Sequence, residues 1–151
     1  MYIHRYTLSV NDTQRKGNFD QMIAAGKYNR VDFDINPKNF PFNPKNVETK
    51  VAIVDFSDSL WISNDQVLEE FKKTNLGLIQ DLSTILACGA QQTELQIEEC
   101  CLISLSPFWT DSLGYKRVVR FLTGRLPFLE LATVHWNTVW YGFNRFLVTY
   151  S

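Results

Sequence analysis

"CLISLSPFWTDSLGYKRVVRFL", residues 101–122, decides how the chain is expected to fold. "CLISL" and "KRVVRFL" are short apolar, β-rich runs, and the turn formers from Asp111 to Gly114 lie between them. Two such runs predict neighbouring antiparallel strands, with 107–115 as the loop-like connection. Further along, "FLELAT" and "RFLVTY" read as two more short strands, set off by a turn at Gly124. Composition changes at the same place. Residues 102–151 hold one Lys, one Glu, no Gln and no Met, against seven, six, seven and two in residues 1–101. Strands and loops use Lys and Glu sparingly, which is one physical source of that shift.

Towards the start, "YIHRYTLS" alternates as a first strand, and "FDQMIAAGKY" reads as a short helix with Phe19, Met22 and Ile23 on one face and Gly26 at its end. "FDINPKNFPFNPKN" carries three prolines in fourteen residues, which forbids regular structure. "ETKVAIVDF", 48–56, is the firmest strand of this half. Ser63 and Gln66 have capping-box spacing and open a helix, "NDQVLEEFKKTN", with Val67, Leu68 and Phe71 facing inward. A second helix, "LIQDLSTILACG", is expected to place Leu78, Leu82, Ile85 and Leu86 on one stripe and to stop at Gly89. The expectation is one α+β domain over 1–151: an N-terminal strand and two main helices packed on a small antiparallel sheet, with a long loop-rich C-terminal half.

Composition narrows the chemistry. At 151 residues, 45% hydrophobic and 21% charged, the chain is long enough to bury a core without staples. A formal charge of −1 leaves no field to hold a phosphate backbone, so nucleic acid is not an expected partner. No apolar run approaches a membrane span, and "MYIHRYTLSV" has no apolar signal region, so the expected location is the cytoplasm by default. Cys88, Cys100 and Cys101 lack metal or redox spacing and read as buried free thiols. Asp32 and Asp34 read as turn formers, since two carboxylates are too few for calcium; no metal or cofactor is expected. With His4 and His135 as the two histidines and no nucleophile, phosphate-loop or zinc motif, nothing points to an enzyme.

Binding suits these residues better. Trp and Tyr supply rigid contact area, and Ser, Thr, Asn and Gly supply adaptable hydrogen bonds; 107–115 and 134–143 are rich in both. Trp109, Trp136 and Trp140 are assigned to the core. Tyr115, Asn137, Thr138, Tyr141, Gly142 and Phe143 are left for a ligand.

Four stretches in this order, "VAIVDFSDSLWISNDQVLEEF", "LIQDLSTILACGAQQTELQ", "CLISLSPFWTDSLGYKRVVRFL" and "WNTVWYGFNRFLV", resemble variable proteins of diversity-generating retroelements, in particular the archaeal and candidate-phylum branch. "AAGKY" and "KNFP" extend the resemblance over nearly the whole chain. The matching positions are Leu102–Leu105 before Trp109; Gly114 followed by Lys116, Arg117 and Val118; and Trp136, Trp140, Arg145 and Phe146. His135 and Trp136 stand where the family has an aromatic pair, and Tyr150 and Ser151 replace its basic ending.

The resemblance implies a C-type lectin-like fold and a surface rewritten by adenine-directed mutagenesis. Asparagine codons randomised at both adenines yield every residue type except Met, Trp, Lys, Glu and Gln. Trp136 and Trp140 would then be scaffold, within a variable region of about 102–151 on a 1–101 scaffold. The implied ligand-binding set is Phe108, Thr110, Tyr115, Val134, His135, Asn137, Thr138, Val139, Tyr141, Gly142 and Phe143. A monomer binding a protein ligand is the expectation. Its rivals are a structural or oligomerisation module and a formylglycine-generating-enzyme-like enzyme on the same fold. Trp136-Asn137-Thr138 lacks the carboxylate that lectin calcium sites use, and the paired catalytic cysteines of the enzymes are unmatched.

Overall fold

The computed structural model describes residues 1–9, 18–44, 48–91, 101–123, 129–136 and 139–151. In chain order the elements are β1 (Tyr2–Ser9), α1 (Phe19–Ala25), β2 (Arg30–Val31), β3 (Glu48–Asp55), β4 (Trp61–Ser63), α2 (Asn64–Lys73), β5 (Leu76–Gly77), α3 (Leu82–Ala90), β6 (Cys101–Thr110), β7 (Lys116–Thr123), β8 (Leu129–His135), β9 (Val139–Tyr141) and β10 (Arg145–Tyr150). The turn expected at Gly124, together with Cys100, Asn137 and Thr138, lies outside the described residues.

Eight strands form one mixed sheet in the order β1-β3-β10-β6-β7-β8-β2, with β5 also paired to β10. β10 runs antiparallel to β3, matching Phe146 to Val54 and Val148 to Ala52, and parallel to β6, matching Phe146 to Ile103. β6 engages β10 at Arg145 and Phe146, and the far end of β10 pairs with β5. β4 and β9 form a separate two-stranded ribbon.

Both faces of the sheet are covered, which explains why β3 and β10 contain unbroken apolar runs instead of clean alternation. Val51, Ile53, Leu102, Val119, Phe121 and Leu147 point into one core, completed by Met22 of α1, Ile85 and Leu86 of α3, and Phe40 of the proline-rich stretch. Ala52, Val54, Ile103, Phe146 and Val148 point into the other, beneath Val67 and Phe71 of α2 and Ile62 and Trp140 of the ribbon.

This architecture corrects the expected fold class. The protein is mostly β: a large mixed sheet carries three helices among the described residues, where an α+β C-type lectin-like arrangement of two main helices on a small antiparallel sheet was expected. The physical reason is recruitment. β1 and β3 from the first half join the same sheet as the later strands, and β10 between β3 and β6 makes the sheet mixed. Strands β2, β4, β5 and β9 have two or three residues each, too few to show a period in sequence.

Local corrections follow from packing. α3 begins after Asp81, whose carboxylate accepts from the Ser83 amide at 2.9 Å, so Leu78 precedes the helix instead of sharing its stripe. Gly89 does not end α3. It sits inside the helix because a Cβ there would run into the Tyr28 hydroxyl and the Phe121 ring. Residues 107–110 are strand, not loop: the β6–β7 register jumps between Ser104 and Phe108, past Pro107, which has no N–H to give the ladder, and pairing resumes to Thr110. α2 carries the expected capping box, and Ile62 and Val67, at N′ and N4, are buried in the same cluster as a hydrophobic staple.

Tyr28 packs its ring against Phe121 while its hydroxyl is buried without a hydrogen-bond partner among the described residues. Burial, and secondarily neighbouring Cys88, push the phenol far above its ordinary value, so it stays neutral in the folded protein. An unpaired buried hydroxyl costs free energy that a phenylalanine does not. Tyr28→Phe is therefore expected to leave stability unchanged or raise it by about 1 kcal/mol, read from the urea midpoint at constant slope. A loss of comparable size would mean that the hydroxyl has a partner.

Candidate functional site

The β4–β9 ribbon sorts its side chains by the period of two. Trp61 pairs with Tyr141, Ile62 with Trp140 and Ser63 with Val139. Ile62 and Trp140 turn inward. Trp140 is only 2% exposed, stands edge-on to Phe146 at 5.8 Å and donates its indole N–H to the buried Asn64 Oδ1 at 3.3 Å. Trp61, Tyr141 and Val139 turn outward. Trp61 and Tyr141 have ring centroids 4.3 Å apart, and Tyr141 stacks on Phe143 at 5.1 Å. These three rings are 54%, 49% and 66% exposed, so the cluster offers apolar area to a partner and is not a buried core. Beside it runs an open groove of about 440 Å³ lined by Ser57, Asp58, Ser59, Leu60, Tyr141 and Phe143.

Two further aromatic groups form at the end of the β6–β7 hairpin, on opposite faces of the sheet. Tyr115 stacks on His135 at 5.1 Å, and Lys116 Nζ lies 4.7 Å from the Phe108 ring and 4.8 Å from Trp136. Asp111 organises the turn: one carboxylate oxygen accepts from the Leu113 and Tyr115 amides, and the other accepts from Arg117 Nε at 2.9 Å. Arg117 also donates to Thr133 Oγ1 at 3.3 Å and reaches His135 Nε2 at 3.0 Å. A guanidinium can only donate, so Nε2 of His135 accepts there and Nδ1 carries the ring proton. Thr133 in turn donates to Asp32 at 2.9 Å, tying the hairpin end to the loop after β2.

The eleven residues expected to contact a ligand divide accordingly. Phe108, Thr110, Tyr115 and His135 are exposed at the hairpin end; Val139, Tyr141 and Phe143 are exposed on and beside the ribbon. Two are corrected. Gly142 is buried: its amide donates to the Leu60 carbonyl at 2.9 Å, and a Cβ would strike the Ser59 carbonyl. Val134 is half-buried against the second core cluster. Among the tryptophans assigned to the core, Trp140 is buried, and Trp109 and Trp136 are half-buried against the two clusters.

Sequence reasoning missed Trp61, Leu60 and the ordering role of Asp111. The first had a readable signal. Ile62 must face inward to staple Val67, and a strand neighbour then faces outward, which exposes Trp61.

Among the described residues no three His, Cys, Asp or Glu side chains are grouped as metal ligands, and no helix is long and apolar enough to cross a membrane. Burial pushes the Cys88 thiol well up, which keeps it protonated and unreactive at neutral pH. Asp32 does turn work, accepting from the Asp34 amide at 3.0 Å. Comparison with family models, curated proteins and solved structures finds no match.

The Arg117 hydrogen bond, followed by those from the Tyr115 and Leu113 amides, holds the Asp111 carboxyl below its ordinary value. A depressed carboxylate stabilises the fold above the unfolded-state value and loses that contribution as pH falls through the folded one. The Tyr115 amide resonance should therefore titrate with a midpoint below that of an ordinary aspartate, and Asp111→Asn should abolish the transition. A midpoint at the ordinary value would show that the Arg117 contact does not hold in solution.

Proposed function

We propose that this is a non-enzymatic binding protein whose contact surface is made by the outward aromatics of the ribbon and of the β6–β7 hairpin end. The observation that carries the proposal is the division within β9: Trp140 serves the core, while Val139 and Tyr141 on either side of it, with Phe143 beyond, face out. Such rings bury large area with few rotors to freeze, and rings of this kind dominate protein interfaces. A protein ligand fits better than a small molecule, because the rings project beside an open groove and do not line an enclosed pocket.

We further propose that this surface is diversified, as in retroelement variable proteins, on a scaffold that is not the lectin-like one. Phe108, Thr110, Tyr115, His135, Val139, Tyr141 and Phe143 are all residue types that a randomised Asn codon supplies, and all are exposed. Gly142 and Val134 drop out of the set for the packing reasons above.

A displayed library randomised at those seven positions tests the surface. Most members are expected to keep protease resistance close to that of the parent, since exposed substitutions rarely exceed about 0.5 kcal/mol each, and selection should yield binders to a chosen protein. Trp140→Ala should instead cost about 3–5 kcal/mol. General collapse of the library would return these residues to the scaffold. For the origin of the diversity, the expected observation is a near-copy of the 3′ end of the gene, differing at adenines beside a reverse transcriptase; without it the contact surface is a fixed one.

A further inference from the structure

The two cations at the hairpin end have different fates. Arg117 commits its donors internally, to Asp111, Thr133 and His135. Lys116 does not. Among the described residues its ammonium meets two ring faces, Phe108 at 4.7 Å and Trp136 at 4.8 Å, and no carboxylate or carbonyl. Rings attract an ammonium without filling its three N–H donors, so Lys116 is steadied in place with its hydrogen-bonding capacity intact. Partial ordering beforehand also lowers the side-chain entropy lost when a partner arrives.

Among the described residues the carboxylates at the hairpin end are engaged elsewhere: Asp111 pairs with Arg117, and Asp32 accepts from Thr133. Among the described residues the ammonium thus has no ion-pair partner, and it stands exposed against two rings. Resting on the contact surface proposed above, we infer that Lys116 recognises a carboxylate side chain of an acidic protein ligand, with Phe108 and Trp136 steadying the ammonium. Nucleic acid fits less well. Phosphate backbones are held by rows of cations, whereas Arg117 is internally bonded and the chain as a whole carries a formal charge of −1.

Fluorescence anisotropy at low salt tests this with three probes: a labelled peptide of alternating Glu and Tyr, the same peptide with Gln for Glu, and a ten-nucleotide oligo-dT. The Glu–Tyr peptide is expected to bind about tenfold more tightly than the Gln–Tyr peptide, the scale of one charge-assisted hydrogen bond. Lys116→Met, which keeps the apolar stem, should erase that preference without moving the melting temperature, and Lys116→Arg should retain most of it. Equal binding of the two peptides, a preference that survives Lys116→Met, tighter binding of oligo-dT, or no binding of the acidic peptide to the wild type would each overturn the assignment. Failure of the contact surface itself reads out differently, as collapse of the randomised library.

Discussion

The insertion of β10 between β3 and β6 is the interaction on which the rest of the structure depends. Phe146 and Val148 enter one core and Leu147 the other, so consecutive residues of one strand tie together layers that otherwise share only the sheet. Burying each such side chain is worth about 1.5–3 kcal/mol, and the ladder to β3 supplies partners for the backbone groups buried with them. The consequence is topological. In the sheet order β3 and β6 are joined by β10, so the last strand of the chain is an interior strand.

The outer surface is a product of the same packing. The ribbon rests on the core through Ile62 and Trp140, the latter against Phe146 of β10. Its strand period then forces Trp61, Val139 and Tyr141 to the other side. The turn that follows is fixed by backbone: Gly142 donates to Leu60, and the buried Asn144 donates its amide to the Tyr141 carbonyl at 3.0 Å. Phe143 is thereby presented by a turn whose geometry does not require its side chain. A surface of this kind can change in chemistry without change in its support.

What was legible in the sequence was local. "ETKVAIVDF" and "RFLVTY" are β3 and β10 almost to the residue, and Ser63 with Gln66 is a capping box, because propensity and capping act over a few neighbours. Val139, Tyr141 and Phe143 are exposed for an equally local reason: each adjoins a buried residue, Trp140, Gly142 or Asn144. Partnership was not legible. Nothing within β10 specifies a parallel neighbour on one side and an antiparallel one on the other, so the fold class was misjudged as α+β with a small sheet. Gly89 and Gly142 were misread because their constraint is the approach of Tyr28 and of Ser59, residues distant in sequence. The outward direction of Trp61 was readable from Ile62 beside it, but its ring partner Tyr141, on another strand, was not.

The central claim is that the contact surface and the load of the fold are energetically separate. Native-state hydrogen exchange on Phe146, Leu147 and Val148 measures it directly, comparing the parent protein with a Tyr141→Ser, Phe143→Ser variant. Because Phe146, Leu147 and Val148 are fully buried inside the sheet, their amides should exchange through global opening, and their protection should match between the two proteins within the roughly 1 kcal/mol that solvent-facing rings contribute. A large loss of protection in β10 of the variant would show that the exposed rings hold the sheet together, and the separation of scaffold from surface would be wrong.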